Sequence, residues 1–295
     1  MNKVVVIGPL LLWGLLAYLS VLILAQFTHA RDNPWEHTKT PFEGPAAAIG
    51  EYANGCLSGA EALPLSGKGF QVIRPQRDRY YGHPNLVSFV QQYAVQLQAE
   101  GIEQILVGDM SMPRGGQFDY GHNSHQIGLD VDIWLRLTEK PLSKAELKSP
   151  RALTVVDNQE FAIDTAAWNP QHKLMIKVAA QDPQVARIFV NGAIKQQLCN
   201  ERTQADDAWL NKVRPWWGHS AHMHVRLNCP KDNPDCKAQK PINPGHGCED
   251  IAWWKQQFYT AKSAPKKELD KPSPRKPKPL QVKPQQCEPL TWAAP

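Results

Sequence analysis

Apolar and polar positions recur along this chain with two different periods, and together they predict a mixed fold. Over residues 85–100, Leu86, Phe89, Val90, Tyr93 and Leu97 fall on one helical face, and Gly101 follows as a stop signal. Residues 104–107, 129–135, 186–190 and 221–227 read as strands. Residues 173–181 and 193–199 read as helices, and 208–213 as a helical turn ended by Pro215. No repeat and no regular strand–helix–strand beat is present. The expected class is therefore α+β, a single domain with a central antiparallel sheet flanked by helices and disulfide-stapled loops. Residues 31–71 read as loop-rich, with Gly44, Gly50, Gly55, Gly59 and Gly67 scattered through them. Residues 108–121 form a loop around Pro113-Arg114-Gly115-Gly116.

The two ends depart from this pattern. Residues 4–25 are almost wholly apolar, and Lys3 is the only charge before Arg31. Thr28-His29-Ala30 ends in a small residue and a polar segment begins at Arg31. This reads as a signal peptide over residues 1–30, removed after Ala30, with no stable membrane span afterwards. Residues 262–284 are rich in Lys and Pro with almost nothing to bury, so 262–295 reads as an extended tail behind a domain at 31–261.

Composition narrows the class. The chain has 295 residues, 42% of them hydrophobic, enough for a real core. Its formal charge is +5, or 5 − 1 = +4 once the leader and Lys3 are gone, too mild to point to nucleic acid. All six cysteines lie outside the leader: Cys56, Cys199, Cys229, Cys236, Cys248 and Cys287. An even count in an exported chain argues for three disulfides, with about fifteen pairings open. Cys229 and Cys236 are close enough to close a small loop. Cys287 lies beyond the tail and would tie it back to the body, with Cys56 one candidate partner.

The chemistry concentrates in two short segments that hold five of the ten histidines. The first runs from Gly121-His122 through His125 to Asp130-Val131-Asp132, and the second is His219-Ser220-Ala221-His222-Met223-His224. Side chains alternate across a strand. Asp130 and Asp132 thus share one face, opposite Leu129, Val131, Ile133 and Leu135. His222, His224 and Arg226 share another, opposite Ala221, Met223, Val225 and Leu227. As neighbours, the two strands would bring these polar faces together, and His125 would join from the preceding loop. Imidazole mixed with carboxylate is the donor set that catalytic zinc favours, and a free imidazole nearby can move protons. Each part alone is weak: His-x-His is common, and Asp130 and Asp132 singly read as solvated strand positions. Arg114 reads as a solvent-facing loop arginine rather than a partner for a substrate carboxylate. Trp216 and Trp217 either wall a cleft or pack in a core, and His83 is structural.

His125, six intervening residues, Asp132 and the later His222-Met223-His224 resemble the signature of the LAS metallopeptidases. The wider text is similar to the penicillin-insensitive murein endopeptidase family. The matching stretches include Arg79 to Pro84, Gly108-Asp109-Met110, Gly121 to Asp132, Ala186 to Asn191 and Lys212 to Trp216. The resemblance runs from about Glu51 to Cys287. It implies Zn2+ held by His125, Asp132 and His224, with His122 touching the metal in some states. It also implies that His222 is base or oxyanion partner and that His219 joins it in the catalytic site. The disulfides it implies are Cys56–Cys287, Cys199–Cys248 and Cys229–Cys236. For the second metal some relatives carry, residues 153–163 offer only Asp157 and Glu160 as ligands. The implied substrate is the D-alanyl to meso-diaminopimelyl cross-link of peptidoglycan, and the implied compartment is the periplasm. The alternative is a non-catalytic periplasmic metal- or wall-binding protein; a metal-dependent phosphodiesterase lacks the basic, aromatic stripe it would need.

Overall fold

A computed structural model describes residues 32–263 and 277–292. The leader expected at residues 1–30 lies outside the described residues. The chain divides into two compact units, Met1–Pro34 and Trp35–Pro295. Of the first, only residues 32–34 are described; the second holds every described strand.

Strands β1 (Ala47–Glu51) and β2 (Asn54–Ser58) form an antiparallel hairpin. The next strands are β3 (Glu61–Ala62), β4 (Ser66–Gly67), β5 (Phe70–Val72) and β6 (Tyr81–Gly82), with β3 and β6 paired. Helix α1 (Pro84–Ala99), β7 (Ile105–Val107), β8 (Asp130–Trp134) and a short α2 (Lys144–Lys148) come next. Then come α3 (Pro170–Gln181), β9 (Val185–Val190), α4 (Gly192–Asn200), α5 (Asp207–Lys212), β10 (Val213–Pro215) and β11 (His222–Leu227). Helices α6 (Ile251–Ser263) and α7 (Glu288–Trp292) complete the described chain.

Seven strands form the main sheet, in the order β10-β9-β11-β8-β7-β5-β4. The expected antiparallel sheet needs correction. The middle strands β9, β11, β8 and β7 are antiparallel, but β10 pairs parallel to β9 and β5 parallel to β7. Parallel neighbours require a crossover. Helices α4 and α5 provide it between β9 and β10, and α1 between β5 and β7. The loop-rich expectation for residues 31–71 also fails in part. That stretch contains β1 to β4 and the start of β5, each too short and too broken by glycine to show a clear two-residue period.

The core lies on one face of the sheet. Val131 and Ile133 of β8 and Met223 and Val225 of β11 are fully buried there. They pack with Leu86, Phe89, Val90, Tyr93 and Leu97, the apolar stripe of α1. Tyr93 donates its hydroxyl to the Met175 carbonyl at 2.8 Å, which fastens α1 to α3. His83 caps α1, its Nδ1 accepting the Asn85 amide at 3.2 Å, and Pro84 fits the first turn.

Three disulfides join Cys56 to Cys287, Cys199 to Cys248 and Cys229 to Cys236. The first spans 231 residues and holds the chain end against β2.

Candidate functional site

The register of β8 and β11 builds the site. They are antiparallel neighbours, with His224 opposite Asp132 and Arg226 opposite Asp130. Alternation sends the apolar residues of both strands to the core and these four to the other face. That face is not solvated: Asp130 is 0%, Asp132 3% and His224 3% exposed.

His125 enters from the loop before β8. Its backbone is left-handed (φ 69°), and its amide donates to Asp130 Oδ2 at 3.0 Å. Gly128 lets the loop turn into the strand. Its φ is 71°, and a Cβ there would meet Leu57 Cδ2 at 2.4 Å and the His83 nitrogen at 2.8 Å.

Four groups converge on one point. Asp132 Oδ1 lies 3.2 Å from His224 Nδ1 and 3.4 Å from His125 Nε2, and Asp132 Oδ2 lies 3.0 Å from His122 Nε2. One donor atom from each of His122, His125, Asp132 and His224 lies within 4.8 Å of all the others. His125 is completely buried, yet neither of its ring nitrogens has a hydrogen-bond partner among the described residues, and Asp132 Oδ1 has none either. Buried polar atoms are rarely left so. A divalent cation among them would take His125 Nε2 and Asp132 Oδ1, so the donor set fits a metal. Among the described residues no second such group exists. Asp157 instead accepts the Gln159 and Glu160 amides, and Glu160 accepts from the Tyr259 hydroxyl.

Electrostatics match that reading. Burial works against ionisation of Asp132, but His222, His122 and His125 hold its carboxyl well below the usual range. Burial pushes the His125 imidazole down, which favours the neutral ring with a lone pair on one nitrogen. His224 is raised to about 9: burial opposes the charge, and Asp130 and Asp132 on its two sides outweigh it. Without metal it carries the proton that a cation would displace.

Behind the cluster is Asp130, which the sequence places on the polar face of β8 beside Asp132. Its carboxylate accepts from Arg226 Nε at 2.7 Å and Nη2 at 3.0 Å, and lies 3.2 Å from His224 Nε2. Burial opposes its charge, but Arg226 and His224 hold its carboxyl well below the usual range. With Nε2 beside this carboxylate, the His224 ring turns Nδ1 toward Asp132. Asp109 was overlooked. It accepts from Arg79 Nη1 at 3.0 Å and stands 3.8 Å from His122 Nε2. Its one sequence signal is a carboxylate just after β7, the neighbour of β8.

Two histidines stand beside the cluster. His222 Nε2 is 3.6 Å from Asp132 Oδ2 and has no hydrogen-bond partner among the described residues. Burial lowers its pKa. His219 has a left-handed backbone (φ 51°), and its Nδ1–H donates to the Trp217 carbonyl at 2.7 Å, which leaves Nε2 as an acceptor. Burial, with His222 and His224 nearby, lowers its pKa to about 4. The two rings are 4.8 Å apart.

A cavity opens on each side. One of about 570 Å³ is bordered by His222, Asp132, Asp109 and Trp134; the other, about 540 Å³, by His219, His224, Phe189 and Trp216. His122 borders both. A cavity of about 590 Å³ near Pro183 and Lys240 touches none of the site histidines. Trp216 and Trp217 are about half exposed, which rules out core packing, and Trp216 walls the second cavity. Arg114 meets neither reading from sequence. The glycine loop turns inward, and its buried guanidinium donates to the Thr40 and Leu290 carbonyls at 3.0 and 2.9 Å.

The tail braces the loop that bears His122 and His125. Lys278 donates its amide to the Asp119 carbonyl at 3.1 Å and its ammonium to the carbonyls of Gly121 and His122. Gln281 donates its backbone amide to Gln117 Oε1 and accepts from Gln126 Nε2, and Lys283 donates to Gln126 Oε1.

The family model described as "Penicillin-insensitive murein endopeptidase" matches residues 48–291. A protein of that name from Klebsiella pneumoniae (strain 342) is 45% identical over 253 residues, 85% of this chain and 92% of the relative. One from Haemophilus influenzae is 46% identical over 244 residues, 81% of this chain and 85% of the relative. One from Escherichia coli O1:K1 / APEC is 44% identical over 253 residues, 85% and 92% of the two chains.

Proposed function

Since the chain belongs to the penicillin-insensitive murein endopeptidase family, we propose that it is a zinc enzyme that hydrolyses the D-alanyl to meso-diaminopimelyl cross-link of peptidoglycan. The observation that carries this reading is the convergence of His122, His125, Asp132 and His224, with buried donor atoms otherwise unsatisfied. His125 Nε2, an Asp132 oxygen and His224 Nδ1 are the inner ligands. His122, the most exposed of the four, is the fourth and can yield its place to solvent or substrate. When bound, Zn2+ polarises the scissile carbonyl and activates a water at neutral pH.

The chain's own residues do the rest. His222 is neutral at pH 7 because burial lowers its pKa, and its unpartnered Nε2 accepts a proton and returns it to the departing amine. His219, neutral as well, lines the opposite cavity and sets the position of the His222 ring beside it. Asp130 keeps His224 oriented. No acylated serine takes part.

Residues 1–30 are assigned as a signal peptide, 31–261 as the catalytic domain and 262–295 as the strap-like tail, α6 running two residues into it. The periplasm suits three disulfides, which persist in oxidising compartments. Among the described residues no helix is long and apolar enough to cross a membrane.

A muropeptide digest tests the whole reading. Mature protein with zinc should turn cross-linked dimers into monomers, and a chelator should stop it. Intact dimers after incubation with the zinc-loaded protein would favour the non-catalytic metal- or wall-binding alternative. His222→Ala should lower kcat by about 10²- to 10⁴-fold while zinc per chain, read by elemental analysis, stays near the wild-type value. Zinc lost in step with activity would move His222 into the ligand set.

A further inference from the structure

The cavity on the His222 side is rich in paired charge. Lys39 meets Asp78 at 3.1 Å, Arg79 meets Glu36 at 3.2 Å and Asp109 at 3.0 Å, and Arg77 meets Asp109 at 3.6 Å. Arg74 borders the same cavity without such a partner. Among the described residues its guanidinium has no hydrogen bond and no ion pair; it lies over the Trp134 ring at 4.9 Å. Trp134 stands two residues from Asp132 on the same face of β8 and pairs with His222 across the strands.

The backbone at Arg74 is left-handed (φ 53°). Among the described residues only Arg74, Asp78, His125 and His219 adopt this conformation without being glycine, and all four border the site or its cavities. Such conformations are costly and collect at ligand clamps. A guanidinium over an aromatic face and bordering a cavity is suited to take a planar anion. Across the site Arg187 differs, since its guanidinium already donates to the Lys240 carbonyl.

We propose that Arg74 binds the free carboxylate on the carbon that carries the leaving amine. The inference rests on the peptidase reading. In a diaminopimelyl cross-link, the carbon bonded to the scissile nitrogen also bears a carboxylate. His222 delivers the proton to that nitrogen, so the leaving residue lies in the His222 cavity. There its carboxylate meets Arg74, which sits over the cross-strand partner of His222. Arg74 thereby makes the enzyme selective for cross-links whose acid is free over those in which it is a carboxamide.

The test uses two cross-linked muropeptide dimers that differ only at this carboxylate, free in one and amidated in the other. Steady-state kcat and KM are measured for zinc-loaded wild type, Arg74→Gln and Arg74→Lys. Wild type should prefer the free acid by about 10- to 100-fold in kcat/KM, the worth of a charge-assisted hydrogen-bond pair. Arg74→Gln should lose that preference by falling on the acid dimer alone. Arg74→Lys should regain part of it, and zinc per chain should stay unchanged in both variants. A wild type that cleaves both dimers equally well, or an Arg74→Gln protein that loses equally on both, overturns the assignment and leaves the peptidase reading intact. If wild type cleaves neither dimer, the peptidase reading falls and the assignment falls with it.

Discussion

Asp132→Ala is expected to give a protein that neither keeps zinc through dialysis nor cuts dimers. The carboxylate lies between 3.0 and 3.6 Å from four imidazoles: His122, His125, His222 and His224. It supplies the only negative charge in the four-residue donor set. Removing it leaves three imidazoles, one of them fully buried and one held beside Asp130. Cation affinity should fall by more than about 100-fold, beyond what loss of an outer hydrogen-bond partner costs. The rate should fall by about 10⁴-fold or more, as when a member of a catalytic unit is removed. Elemental analysis after dialysis checks the first effect and muropeptide release the second. Stoichiometric zinc in the dialysed variant would show that this carboxylate is not a ligand.

Asp130→Ala should cost about 3–5 kcal/mol of stability, because it strands the buried Arg226 guanidinium without its acid. Urea titration of the metal-free protein reads this as a lower midpoint at constant slope. Pairing the change with Arg226→Leu removes both charges and should recover most of the loss. Metal affinity should not recover. His224 Nε2 still lacks its carboxylate, and the double variant should bind zinc about 10- to 100-fold more weakly than wild type. Full recovery of zinc binding in the double variant would limit Asp130 to neutralising Arg226.

The helical stripe of α1 and the alternation in β8 and β11 were legible in the sequence because each element buries one clean apolar face. The meeting of Asp132 with His224 was legible only as a condition, since adjacency and register are set by the whole sheet. The parallel pairing of β5 and β10 leaves no local mark; it arises from where α1, α4 and α5 carry the chain. The burial of Asp130 and Arg114 was not legible, for a shared reason. Each is a polar residue in a stretch that looks exposed, and each is buried because its partner lies far along the chain, Arg226 for the first and Leu290 for the second. Arg74 carries no local signal, for an isolated arginine before a proline forms no pattern.

The Cys56–Cys287 bridge has a temporal consequence. The residues that brace the His122 loop, Lys278 to Lys283, precede Cys287 by only a few positions, so the bridge anchors the brace close to its working end. Thiol oxidation must then lock them in place. A chain in a reducing environment is therefore expected to lack this covalent lock on the brace, and full competence to cut to await an oxidant.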